Sequence, residues 1–251
     1  MKKFSALFVS IMFFLSGCDY TEEQGVWKKI DDSMAYRSWE FEINESKESI
    51  EIYKINPEGY KIKTDYSEKN PRYVSDWLYL NDGAEVVING SYFNEDYSPS
   101  GYIKINNERV GNLIFDQKLS GLVQIEDNNL IIRNLETQAL QEGEDVEFGL
   151  QSYPYLIKNS QPVLQEDTGK TARRSAIGTD AQGNIYLVIA DTSHLTLYEL
   201  MNQLVKTEIP FTDVLNLDGG TSTGIAVSEG SYHEIKDSLV RVPGVIVFDR
   251  I

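Results

Sequence analysis

Gly183-Asn184-Ile185-Tyr186-Leu187-Val188-Ile189-Ala190-Asp191 is the stretch on which the fold turns. Six apolar residues, mostly branched or aromatic, follow a Gly-Asn turn and end on a carboxylate. The run is short for a helix and rich in strand formers, so residues 185–190 are expected to be a central strand. Just beyond it, Thr196-Leu197-Tyr198-Glu199 has the form of a capping box. Leu197, Leu200, Met201, Leu204 and Val205 then make an apolar stripe at helical spacing, and Pro210 stops it.

Working outward, Arg37-Ser38-Trp39-Glu40-Phe41-Glu42-Ile43 alternates apolar and polar residues, as does Ser49-Ile50-Glu51-Ile52-Tyr53-Lys54-Ile55. Tyr60-Lys61-Ile62-Lys63 continues the pattern after the turn at Pro57-Glu58-Gly59. These read as antiparallel strands with one wet face. Residues 71–80 suit a short helix with Val74, Trp77 and Leu78 on one side. Glu85-Val86-Val87-Ile88 is a compact buried strand ending at Asn89-Gly90, and residues 101–105, 121–125, 130–132 and 155–158 are further strand candidates. Val214-Leu215-Asn216-Leu217 runs into Asp218-Gly219-Gly220, and residues 242–248 form the last strand. There is no internal repeat and no low-complexity segment. The expectation is an α+β single domain over residues 36–251, with a mixed or antiparallel sheet and a few helices.

The chain has 251 residues, with 23 Lys and Arg against 39 Asp and Glu, a net charge of −16 and a pI of about 4.5. Nucleic acid is not an expected partner, because phosphate binding on that scale needs a basic face. Nor does the charge favour adsorption on an anionic membrane surface. Hydrophobic residues at 41% and charged residues at 25% exclude a wholly disordered chain and a polytopic membrane protein. With one cysteine, Cys18, no intrachain disulfide can form.

Cys18 has a particular setting. Lys2 and Lys3 precede an uncharged apolar run over residues 4–15, and Leu15-Ser16-Gly17-Cys18 follows. The run is too short to span a bilayer as a helix and reads as a cleaved signal. It resembles the lipobox of bacterial lipoproteins, in which the cysteine is lipidated and becomes the new N-terminus. The resemblance implies a signal segment at 1–17 and lipidation at Cys18. The domain would then be lipid-anchored to a bacterial membrane on its extracytoplasmic side. Residues 18–35 are polar and acidic and read as a tether. An ordinary secretory signal with an incidental cysteine is the other reading.

Several segments could carry chemistry. In Asn216-Leu217-Asp218-Gly219-Gly220-Thr221-Ser222-Thr223 the adjacent glycines let backbone N–H groups converge on an anion, and the hydroxyls add donors. A tight Asp-Gly-Gly turn would use the same residues. Asn89-Gly90-Ser91 is a hairpin signal, and alternatively places the Asn89 amide against a sugar or phosphate oxygen. Arg173-Arg174 brings two cations into an acidic chain, suited either to bidentate phosphate recognition or to surface ion pairs. Asp191 ends the central strand as a possible acid or base, or as the cap of the next turn. His194 and His233 have no ligand spacing, so no metal and no cofactor are expected.

In chain order, six segments resemble the phosphodiester glycosidase family. They are Val87-Ile88-Asn89-Gly90-Ser91-Tyr92-Phe93, Pro99-Ser100-Gly101-Tyr102-Ile103-Lys104-Ile105-Asn106, Gln151-Ser152-Tyr153-Pro154-Tyr155-Leu156, Arg174-Ser175-Ala176-Ile177-Gly178, Thr196-Leu197-Tyr198-Glu199-Leu200 and Asn216-Leu217-Asp218-Gly219-Gly220-Thr221-Ser222. Ser91 and Thr221 stand where the family pattern has glycine. The resemblance implies hydrolysis of a sugar-1-phosphodiester to free sugar and a phosphomonoester, on an extracytoplasmic glycan or glycoconjugate. It implies Asp218 as first choice for the catalytic carboxylate, Asp191 as second, and Arg174 on the phosphate. Asn89 and Ser152 would orient sugar hydroxyls. Gly90, Asn216, Gly219, Gly220, Thr221 and Ser222 would complete the substrate-binding set. The alternative is a non-catalytic surface lipoprotein that binds phosphorylated glycans.

Overall fold

The computed structural model describes residues 25–43, 45–114, 119–141, 144 and 146–251. The segment read as a signal, residues 1–17, and Cys18 lie outside the described residues. Among the described residues three sheets and two α-helices make up the domain. The first sheet has eight strands, in spatial order Lys28–Lys29, Met34–Ile43, Ser46–Ile55, Ile185–Leu195, Ala172–Asp180, Phe211–Asn216, Tyr155–Lys158 and Gln161–Pro162. The second is Glu108–Arg109, Ile103–Ile105, Phe148–Ser152, Gly121–Glu126 and Asn129–Asn134. The third is Tyr232–Lys236, Ile225–Glu229, Ala84–Asn89, Gly244–Arg250 and Tyr60–Tyr66. Every strand pair among the described residues is antiparallel, so of the expected mixed or antiparallel sheet the antiparallel form is the one found, and the fold is β-rich.

The apolar runs explain the layering. Along residues 185–190, Ile185, Leu187 and Ile189 point into one core, while Tyr186, Val188 and Ala190 point into another. Side chains alternate along a strand, so a continuous apolar run means cover on both faces. The same split occurs in Ala84–Asn89 and Gly244–Arg250. Val86, Ile88, Ile246 and Phe248 face the first core, whereas Val87, Val245 and Val247 face a third. The first core therefore lies among the three sheets, with Val123, Phe148 and Leu150 contributed by the second sheet. The helix Leu197–Lys206 covers the outer face of the first sheet through Leu200, Met201 and Leu204. The helix Val74–Leu80 covers the outer face of the third through Val74, Trp77 and Leu78.

Residues 25–35 fall in the stretch read as a tether, yet part of it joins the sheet. Lys28 and Lys29 pair with Tyr36 and Ala35, and Met34 is buried. The first helix is shorter than residues 71–80, because Pro71 and the extended Tyr73 leave Val74 as its first residue. Among the described residues no helix is long and apolar enough to cross a membrane.

The capping box forms as read. Thr196 Oγ1 accepts from Glu199 N at 3.1 Å, and Glu199 Oε2 accepts from Thr196 N at 2.9 Å. Thr196→Ala should cost about 1 kcal/mol. For a domain of this size that is a fall in Tm of about 2–4 °C, measurable by calorimetry. An unchanged Tm would mean that packing alone holds the helix.

Candidate active site

Four strand ends meet at one place. Ala84–Asn89 ends on Asn89, Phe211–Asn216 on Asn216, and Phe148–Ser152 on Ser152, while Arg174 lies near the start of Ala172–Asp180. Backbone bonds sew the ends together. Asp218 N donates to Gly90 O at 3.1 Å, Leu217 N to Ser175 O at 2.9 Å, and Asn216 N to Pro154 O at 3.0 Å. Gly90 permits the close approach, since a Cβ there would stand 3.0 Å from Gly244 O.

Asn89 is 1% exposed and its amide is occupied on both sides. Nδ2 donates to Asp218 O at 2.8 Å, and Oδ1 accepts from Ser175 Oγ at 2.6 Å and Gly224 N at 3.1 Å. Ser152 is fully buried, and its hydroxyl donates to Asn216 O at 2.7 Å. Asn216 is buried as well, with Nδ2 shared among Tyr92 Oη, Tyr153 O and Leu217 O. Asn89 and Ser152, expected to orient sugar hydroxyls, bond protein partners in this structure. Buried amides and hydroxyls take protein partners, and these brace the turn that carries Asp218. Gln151 does the same nearby, bonding Tyr102 N, Ile114 N, Ile114 O and Leu119 O.

Asp218 opens the glycine turn. Its Oδ1 accepts from Gly219 N at 2.9 Å, and Ser222 also bonds the carboxylate. One backbone N–H of the expected anion nest is thus already taken by Asp218. Burial outweighs both bonds and pushes the carboxyl up to about 6, from an ordinary value of 3.8. Gly219 is needed because a Cβ would come within 3.0 Å of Arg173 O, and Gly220 because its φ is +63°. Ser91 and Thr221 are not at positive φ, so their departure from the family glycines carries no backbone strain. Thr221 is exposed and Ser222 buried.

Arg174 reaches the same turn. Its Nε donates to Leu195 O at 3.1 Å and its Nη2 to Lys170 O. Nη1 lies 3.8 Å from where a Cβ on Gly219 would be, which turns that edge of the guanidinium toward the Asp218 turn. Burial lowers its pKa from the usual 12.5, and an arginine so placed still carries its charge.

Asp191 is the sequence-predicted residue that the structure sets apart. It pairs with Arg173 Nε at 2.5 Å rather than with Arg174, and its side chain is 43% exposed. It lines a polar cavity of about 440 Å³ with Glu48, Glu51 and Lys236, and neither Asp218 nor Arg174 lines that cavity. Among the described residues no group of three His, Cys, Asp or Glu is placed to hold a metal ion.

Two residues at the site escaped the sequence reading of roles. Tyr92 and Tyr153 pack as a tilted ring pair with centroids 4.7 Å apart, and Tyr92 interacts electrostatically with both Asp218 and Arg174. In the sequence they are marked by lying within two of the family-like segments and by position, each one to three residues beyond a strand end that enters the site.

A profile of the phosphodiester glycosidase family matches residues 82–248, from just before Ala84–Asn89 into Gly244–Arg250. The chain belongs to the phosphodiester glycosidase family. Its fold is similar to the catalytic domain of zebrafish N-acetylglucosamine-1-phosphodiester alpha-N-acetylglucosaminidase auto-inhibited by its pro-peptide. That match has a TM-score of 0.63 at 15% identity, covering 91% of this chain and 87% of that one. A hypothetical protein from Synechocystis matches with a TM-score of 0.60 at 16% identity, over 87% of this chain and 62% of that one. A candidate exported protein from Burkholderia pseudomallei matches with a TM-score of 0.58 at 11% identity, over 80% and 74%. A search among curated proteins finds no match.

The raised carboxyl of Asp218 has a thermodynamic signature. A folded-state pKa above the unfolded one means that ionisation opposes folding, so Asp218 lowers stability as pH rises from about 4 through 6. Asp218→Asn removes that cost. The variant should melt above wild type at pH 8 and level with it at pH 4. The shift corresponds to about 3 kcal/mol at most, reduced by whatever the bonds to Gly219 and Ser222 lose. Melting curves at the two pH values check this, and a variant that gains nothing on going to pH 8 would refute the burial argument.

Proposed function

We propose that the protein hydrolyses a sugar-1-phosphodiester on an extracytoplasmic glycan or glycoconjugate, releasing the free sugar and leaving a phosphomonoester. The observation that carries this is the pairing, in a phosphodiester glycosidase, of a desolvated Asp218 with the Arg174 edge turned toward its turn. Arg174 holds a phosphate oxygen and the exposed Thr221 hydroxyl supplies a further donor. Phosphate leaves readily, so the chemistry asks less of a general acid than an ordinary glycoside does. Asp218, poised near 6, takes the proton of the attacking water or supports the positive charge at the anomeric carbon. Water adds to that carbon, the C–O bond to phosphate breaks, and the phosphomonoester departs with the bonding pair.

The setting is part of the proposal. The lipobox-like Leu15-Ser16-Gly17-Cys18 supports lipidation at Cys18 and a place on the outer side of a bacterial membrane. Cys18→Ala should release the protein from membranes or block its processing. Unchanged fractionation and processing would end the lipoprotein reading.

The activity test is incubation with UDP-GlcNAc and other sugar-1-phosphodiesters, followed by assay for free reducing sugar. Asp218→Asn should nearly abolish turnover while staying folded. Arg174→Lys keeps the charge but loses the planar fork, and kcat/KM should fall by the equivalent of about 2–3 kcal/mol. Asp191→Asn should leave activity within a few-fold, because its carboxylate serves Arg173. Wild-type turnover in a folded Asp218→Asn protein would move the chemistry to Asp191. In water carrying oxygen-18 the label should enter the sugar, whereas label in the phosphate would mean P–O cleavage.

A further inference from the structure

Tyr92 and Tyr153 are large aromatic residues that belong to none of the four hydrophobic clusters. Both are half-buried. Polar bonds hold them in place. Tyr92 Oη donates to Tyr153 O at 3.1 Å and accepts from Asn216 Nδ2 at 2.7 Å. Asn216 Nδ2 also reaches Tyr153 O at 2.9 Å. Asn216 stands two residues before Asp218, so one amide fixes the ring pair relative to the carboxylate. The rings lie 4.7 Å apart at 35°, in offset contact. A ring pair outside the core and braced from below is rigid apolar surface kept beside a charged site.

We propose that the ring of Tyr153, backed by Tyr92, is the platform on which the sugar of the substrate stacks, with Tyr92 as the positioning residue that locks it to Asn216. The inference rests on the phosphodiester glycosidase reading of the site. Pyranose rings carry one face of C–H groups, which an aromatic face attracts through its quadrupole while shedding water. Arg174 can hold a phosphate but distinguishes nothing about the group esterified to it. The platform supplies what the arginine lacks, an affinity for the ring itself. The chemical class is therefore a hexopyranosyl phosphate with an open C–H face. Acyclic polyol phosphates present no such face and gain nothing from it.

The test uses binding, so it does not depend on turnover. The probes are α-glucose 1-phosphate, glycerol 3-phosphate and inorganic phosphate, measured by calorimetry. Saturation-transfer NMR on the glucose C–H protons accompanies it. Wild type should bind α-glucose 1-phosphate about tenfold more tightly than the other two. Its saturation should concentrate on protons of one ring face. Tyr153→Phe should keep both properties. Tyr153→Ala should lose the tenfold preference and the saturation pattern while still binding inorganic phosphate as wild type does, which also shows that it is folded. Tyr92→Phe keeps its ring but not its bond to Asn216, and should lose part of the preference with phosphate affinity unchanged.

Equal binding of all three probes by wild type overturns the platform and leaves the phosphate site standing. So does a preference that survives in Tyr153→Ala. Failure of wild type to bind any of the probes overturns the phosphate site, and the platform with it.

Discussion

The structure depends on the satisfaction of one buried amide. Asn89 ends a strand of the third sheet, bonds Ser175 in the first sheet, and holds both Asp218 and Gly224 of the turn between Phe211–Asn216 and Ile225–Glu229. A buried amide left without partners costs more than its bonds add net, so the arrangement is close to all-or-none. It joins two sheets that share a hydrophobic core but no strand pairing. Nonpolar packing is tolerant of small slips, whereas three bonds from one planar group are not. The position of Asp218 relative to Arg174 is thus set by Asn89 rather than by the core.

The two neighbouring arginines illustrate a second constraint. Consecutive residues of a strand face opposite ways, and the register along Ala172–Asp180 shifts between Ala172 and Arg174. Arg173 turns to Asp191 and to Asp237 O at 3.0 Å, fastening the strand to the segment that follows Tyr232–Lys236. Arg174 turns to the glycine turn. A pair that looks redundant in sequence is divided between a structural ion pair and an edge beside the glycine turn. The same division takes Asp191 away from Asp218, since a carboxylate matched to Arg173 is held on Arg173's side.

What the sequence made legible follows from the kind of force involved. Residues 185–190 and 86–88 are continuous apolar runs because both faces are covered, and periodicity reports cover directly. The capping box at Thr196 is local chemistry, complete within four residues. The strand Ala172–Asp180 was harder to see, since it opens with two arginines whose partners lie on other elements. The hairpin of Ile225–Glu229 and Tyr232–Lys236 is likewise faint in the sequence. Its second strand alternates Tyr232, His233, Glu234 and Ile235, and shows little apolar bias. At the site, Asp218 and Arg174 stood out by motif. The work of Asn89 and Ser152 did not, because nothing local decides whether an amide or hydroxyl faces a ligand or a neighbouring strand.

The proposed anionic substrate poses an apparent conflict for an acidic chain, and the partners of Arg174 resolve it. Both of its hydrogen bonds go to backbone carbonyls, of Leu195 and Lys170. Among the described residues it forms no ion pair, in a protein of net charge −16. Carbonyls orient a guanidinium without neutralising it, so its positive charge stays available to a phosphate. Screening confines the distant carboxylates to roughly 8 Å at physiological salt, while partial burial leaves the local cation less screened. Asp218 completes the balance. Its carboxyl is raised to about 6, so it is a stronger base than an exposed carboxylate and better matched to accepting a proton near neutrality. On the proposed function the site would meet its anion with one unneutralised arginine, and the surface charge of the rest of the domain would matter little.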